Sequence, residues 1–154
     1  MELQVVGNGS KYTVEDKKGK TIYTIKKKSF SSRYNLMDMS NYNLYTLVQT
    51  GDAKRPAFTI ILNDNVFMTM EITSLFLDPT IKAKNKNMKF DIVSKDRKDF
   101  DIFLDGSNVG HIQTLVGVTG ELQYHINIEN TAFDDYIPLF AVAIDKAFGE
   151  MNKS

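Results

Sequence analysis

The chain has 154 residues, 19 basic against 19 acidic, with 42% hydrophobic residues and no cysteine. This length suits one domain whose core is large enough to need no cross-links. The missing thiols exclude disulfides, iron–sulfur clusters, thiolate zinc sites and a cysteine nucleophile. A formal charge of zero lacks the basic surplus of a dedicated nucleic-acid binder, and neither a nucleic-acid partner nor a cofactor is expected.

The first residues, Met1 to Gly7, have no basic start and no long apolar run, so a cytoplasmic location is expected. From residue 11 the chain reads as serial hairpins. Residues 11–25 recur at 33–47 with a constant offset of 22: Tyr12, Asp16, Tyr23 and Thr24 match Tyr34, Asp38, Tyr45 and Thr46. Each unit reads as strand, polar turn, strand. Phe58, Ile60 and Leu62 then alternate with Thr59, Ile61 and Asn63 ahead of a turn at Asp64-Asn65. Asp105-Gly106 is a strong hairpin signal. From Glu121 to Glu129, Leu122, Tyr124, Ile126 and Ile128 share one parity and polar residues the other, which predicts a sheet with one dry face. Ten or eleven strands are expected, over about residues 11–129, paired antiparallel with their sequence neighbours.

The segment 135–148 breaks this pattern. It carries three alanines and no charge from Tyr136 to Ile144, and Gly149 follows where a helix commonly ends. A start at Asp134 or Asp135 keeps Pro138 in the first turn, where it is tolerated; the two acids would cap the helix and face the positive end of its dipole. A helix apolar on every side is buried on every side. Ten or more strands can enclose a rod about 10 Å across. The expected fold is therefore mostly β: a closed antiparallel barrel of about ten to twelve strands around a buried helix at about 135–148.

The Tyr-x-[Val/Leu]-x-Asp…Tyr-Thr-[Ile/Leu] hairpins, the Lys-Lys-Lys-Ser-Phe-Ser-Ser stretch at 26–32 and the closing Ala-Val-Ala-Ile-Asp-Lys-Ala-Phe helix resemble the LURP-one-related group of the tubby C-terminal-like superfamily, which also holds the phospholipid scramblases. The chain looks most like a stand-alone bacterial member. The resemblance implies one such domain over 1–154, a barrel of about a dozen strands around its last helix, and contact with lipid head groups through basic residues.

Candidate sites follow from residue chemistry. Lys26, Lys27, Lys28 and Arg33, with Lys17, Lys18 and Lys20, would form a basic face near one barrel rim and attract an anionic lipid head group or membrane surface, placing the protein at the membrane periphery. The plain alternative is that strand lysines alternate between faces and discourage edge pairing. Lys82, Lys84, Lys86 and Lys89 read as a solvated loop or ragged strand. His125 lies on the wet parity of its strand; the facing of His111 is open, because Val109 and Ile112 have opposite parity. Asp145, the one charge late in the apolar helix, needs a partner if enclosed and none if it stands at the barrel mouth. No nucleotide, esterase or zinc-protease motif is present, and no metal site is expected. The expected function is a non-enzymatic binding module; the alternatives are a carrier of a small apolar ligand inside the barrel or a protein-interaction scaffold.

Overall fold

The computed structural model describes residues 1–52 and 54–153; Ala53 and Ser154 of the expected domain lie outside the described residues. Twelve strands precede one helix: β1 (Glu2–Asn8), β2 (Lys11–Asp16), β3 (Thr21–Lys27), β4 (Arg33–Met37), β5 (Asn43–Gln49), β6 (Ala57–Leu62), β7 (Asn65–Ser74), β8 (Thr80–Lys84), β9 (Lys89–Ser94), β10 (Asp99–Leu104), β11 (Ser107–Val116), β12 (Leu122–Ile128) and α1 (Pro138–Lys153). Every strand pairs antiparallel with its neighbours in sequence, and β1 pairs with β12 to close the barrel. No sheet edge remains open, which removes the usual template for edge-to-edge association.

Alternate residues of each strand point inward, as in Leu3 and Val5, Phe58 and Ile60, Ile81 and Ala83, and Leu122 through Ile128. The helix runs through the space they line. Leu139 to Ile144 are six consecutive residues with no exposed surface, so over these turns no side of the helix meets water. Its contacts reach strands all round the wall: Tyr136 meets Tyr45 of β5 and Phe67 of β7, Phe140 meets Phe90 of β9, and Phe148 meets Phe100 of β10.

The 22-residue repeat is two copies of one hairpin, β2–β3 and β4–β5. In each, the Asp side chain accepts backbone N–H groups two and four residues on: Lys18 and Lys20 to Asp16, Ser40 and Tyr42 to Asp38. The third residue after each Asp, Gly19 or Asn41, takes positive φ. A bulge follows Val14 in one hairpin and Leu36 in the other. Asp as a side-chain turn cap and Gly or Asn in the left-handed region are what this turn requires.

Four expectations are corrected. The strands begin at Glu2, not near residue 11; outward-facing Val6 interrupts the alternation of β1 and hides it. The hairpin turn after β6 is Asn63-Asp64, one residue earlier than expected. Both residues have positive φ, the conformation a two-residue hairpin turn demands. The helix starts at Pro138, whose missing N–H is no loss at the first helical position. Residues 135–137 approach it as a turn, with Ile137 N–H donating to the Asp134 carbonyl at 3.0 Å. Asp134 and Asp135 consequently do not cap the helix. The helix also passes through Gly149 to Lys153. Gly149 is buried, and a Cβ there would lie 2.8 Å from Asp145 Oδ1 and 3.7 Å from Leu122, so this glycine answers to packing and not to termination.

Candidate functional site

Because consecutive strands are antiparallel, loops alternate between two rims. The helix enters at the rim carrying residues 17–20, 38–42, 63–64, 85–88 and 105–106. It ends at the rim carrying residues 9–10, 28–32, 50–52, 54–56, 75–79, 95–98 and 117–121. Asn152 marks that exit, donating to the Arg97 carbonyl at 2.7 Å.

Lys26, Lys27, Lys28 and Arg33 all stand exposed at this exit rim, at the turn end of the β3–β4 hairpin. Lys28 N–H donates to the Arg33 carbonyl at 2.8 Å, and the Ser31 hydroxyl donates to the Lys28 carbonyl at 2.8 Å. Phe30, at the tip, takes φ 57° and points into solvent. Lys26 has the outward parity opposite buried Ile25, and its direct cross-strand partner on β2 is Lys11. Like charges directly opposed on one sheet face repel. Among the described residues none of these five bases forms an ion pair.

The structure does not bring Lys17, Lys18 and Lys20 to this cluster. They form the turn of the β2–β3 hairpin at the opposite rim, about 20 Å away at ~3.3 Å per strand residue. Sequence reading also passed over Lys11, whose partnership with Lys26 depends on register. Of the second basic stretch, Lys82 sits in register with Glu71 on one side and Asp91 on the other, an opposite-charge row that needs no ligand. Lys86 lies in a turn beside a groove of about 590 Å³ floored by Val66 and Phe67.

The histidines are surface residues. The bulge between β10 and β11 carries Val109 out of sequence parity, which explains the conflict with Ile112 and leaves His111 exposed. His125 is half-buried on the outer face. Among the described residues no three His, Asp or Glu side chains gather as a metal site.

Two acidic groups at the ends of the helix path, Asp145 and Asp135, are bound by tyrosines. The half-buried Asp145 carboxylate accepts the Tyr12 hydroxyl at 2.5 Å and the Tyr124 hydroxyl at 2.7 Å. Burial first, and the Asp145 charge second, push both phenols far above the usual tyrosine range. Lys146 forms no ion pair with Asp145; its Nζ lies 5.3 Å from the Tyr34 ring centre and 6.0 Å from that of Tyr12, within reach of a cation–π attraction. At the other rim Tyr23 donates to Asp135, and burial with that bond raises its phenol as well. The repeated tyrosines thus divide: Tyr12 and Tyr34 hold the late helix, Tyr23 and Tyr45 its entry. These contacts fix the helix to the wall.

Together these features define a class: a closed antiparallel barrel filled by its own C-terminal helix. Residues 3–145 match the LURP-one-related family, and the chain belongs to that family. No curated protein sequence matches it. It is similar in fold to the X-ray structure of a protein from Arabidopsis thaliana, with a TM-score of 0.60 at 14% identity, covering 98% of this chain and 90% of the other. At that identity the likeness speaks to fold alone.

Proposed function

We propose that this protein is a non-enzymatic module that binds anionic phospholipid surfaces through the β3–β4 end of its exit rim, acting as a peripheral protein on the cytoplasmic face of a membrane. One observation carries the reading. Lys26, Lys27, Lys28, Arg33 and Lys11 crowd an exposed hairpin end with no acidic partner among the described residues, and Lys11 directly opposes Lys26. An anion placed there relieves the repulsion and gains about 1 kcal/mol per base near a charged membrane. The head-group binding of tubby domains through basic residues and the membrane action of scramblases, groups the sequence resembles, support the same reading. The apolar-carrier alternative would need space in the barrel that α1 side chains occupy.

Co-sedimentation with phosphatidylcholine vesicles, with and without phosphatidylserine, tests it. Binding should require the anionic lipid, weaken with salt, and fall roughly tenfold or more in Lys26→Glu/Lys28→Glu. Equal binding to neutral vesicles, or none to either, ends the reading.

A further inference from the structure

The exit rim carries a second, apolar feature. The four most exposed large apolar side chains among the described residues are Phe30 (107%), Val118 (105%), Leu77 (84%) and Phe76 (69%). All four sit on loops of that one rim: β3–β4, β7–β8 and β11–β12. Single exposed apolar residues are ordinary on a soluble protein. Their arrangement here is not random. Six loops ring the rim, and the three apolar tips occupy every second one, spaced round the closed barrel like the feet of a tripod.

The loops between them are basic or small. β5–β6 carries Lys54 and Arg55, β9–β10 carries Lys95, Arg97 and Lys98, and β1–β2 is Gly9-Ser10. Asp52, Asp96 and Glu121 on this rim are held within their own loops, and Asp78 reaches across to the β9–β10 loop. Asp78 pairs with Lys95 at 2.8 Å. Asp52 accepts the N–H groups of Lys54 and Arg55 at 2.9 Å each, and Asp96 those of Lys98 and Asp99. Glu121 accepts the Thr119 hydroxyl. Phe30 is moreover held at positive φ, a conformation unfavourable for an aromatic residue and concentrated at functional positions.

We infer that the exit rim docks end-on to an anionic bilayer, with Phe30, Phe76/Leu77 and Val118 entering the interfacial region at three points while the basic loops meet the lipid phosphates. The barrel axis then stands upright on the membrane, with the end of α1 facing the lipid. Apolar side chains at the headgroup–acyl boundary combined with bases above it are the chemistry of reversible interfacial anchoring. A broad flat protein partner would not need apolar tips on every second loop of the ring. This inference rests on the lipid-binding reading above and adds the contact points and the orientation.

The chain has no cysteine, so single substitutions Phe30→Cys, Leu77→Cys and Val118→Cys each accept one environment-sensitive fluorophore. Tyr42→Cys and Val66→Cys, equally exposed residues of 65% at the opposite rim, serve as controls. With phosphatidylcholine vesicles containing about a quarter phosphatidylserine, all three exit-rim probes should shift to the blue and be quenched by shallow lipid-borne quenchers; the two control probes should not move. Phe30→Ser should weaken binding about tenfold without changing its salt dependence, whereas Lys26→Glu should change the salt dependence. Binding of the unlabelled protein with unshifted rim probes would overturn the three-point insertion and leave the electrostatic reading standing. No binding at all would remove both. A blue shift at Phe30 alone, or a concentration-dependent shift without vesicles, would mean a single anchor or a contact between copies, and either would overturn the tripod.

Discussion

Asp145 is the point at which the helix is tied to the wall, and replacing it tests that claim. In Asp145→Ala the hydroxyls of Tyr12 and Tyr124, on side chains 1% and 0% exposed, lose the acceptor they now hold at 2.5 and 2.7 Å. A buried donor left without a partner costs about 1–3 kcal/mol, so the two together cost roughly 2–6 kcal/mol. A few tenths of a kcal/mol return because alanine is the better helix former. That loss is a large share of the ~5–15 kcal/mol that holds a domain of this kind folded. The triple variant Tyr12→Phe/Tyr124→Phe/Asp145→Ala removes donors and acceptor together and leaves nothing unsatisfied. It should therefore be more stable than Asp145→Ala although it carries two further substitutions. Urea unfolding followed by circular dichroism supplies both numbers, provided the slope stays constant across the series. A triple variant less stable than the single one would show that the hydroxyls find other partners, and the anchoring argument would fail.

The glycine beneath that carboxylate gives a change of sign. Gly149→Ala should destabilise the native protein, since its Cβ would lie 2.8 Å from Asp145 Oδ1. In the Asp145→Ala background the same change should stabilise it by up to about 1 kcal/mol, the helix-propensity gain over glycine; urea midpoints of the four variants decide. Alkaline pH attacks the same site. The folded values of Tyr12 and Tyr124 are raised above the unfolded one of about 10, so their contribution is intact below pH ~10 and is lost as pH rises beyond it. The loss is about 3 kcal/mol at pH ~11 and on the order of 5 at pH ~12 for the pair. Ionisation of the buried phenols should coincide with loss of circular dichroism in one step; smooth tyrosinate titration near pH ~10 with the fold intact would contradict it.

How far the sequence disclosed this molecule depends on the range of the interactions involved. Leu122, Tyr124, Ile126 and Ile128 alternate without exception, and their strand is where the reading placed it. The charge-free run from Tyr136 to Ile144 required enclosure on all sides, and that single requirement selected a closed barrel over an open sheet. The repeat was visible because its causes are local: a turn-capping Asp, a residue in the left-handed region three positions on, and a bulge. What the repeat is for was not visible, because the duty of each tyrosine depends on which rim it reaches. Tyr12 and Tyr23 are eleven residues apart in one hairpin, yet they serve opposite ends of α1.

The same limit governs the candidate site. Lysine runs at 17–20 and 26–28 are close in sequence, but a hairpin sends its turn and its open end to opposite rims, so they could not form one patch. Lys11 joins Lys26 only through register. Phe30, Phe76 and Val118 are far apart along the chain and mark one surface only once the strand order is closed into a ring. A reading confined to neighbours in sequence finds the lysines of one hairpin; the rim that unites them with three apolar tips is a property of the closed topology. The physical test of that rim is accordingly collective: a membrane contact built from one hairpin would tolerate loss of Val118, whereas a contact built from the whole rim would not.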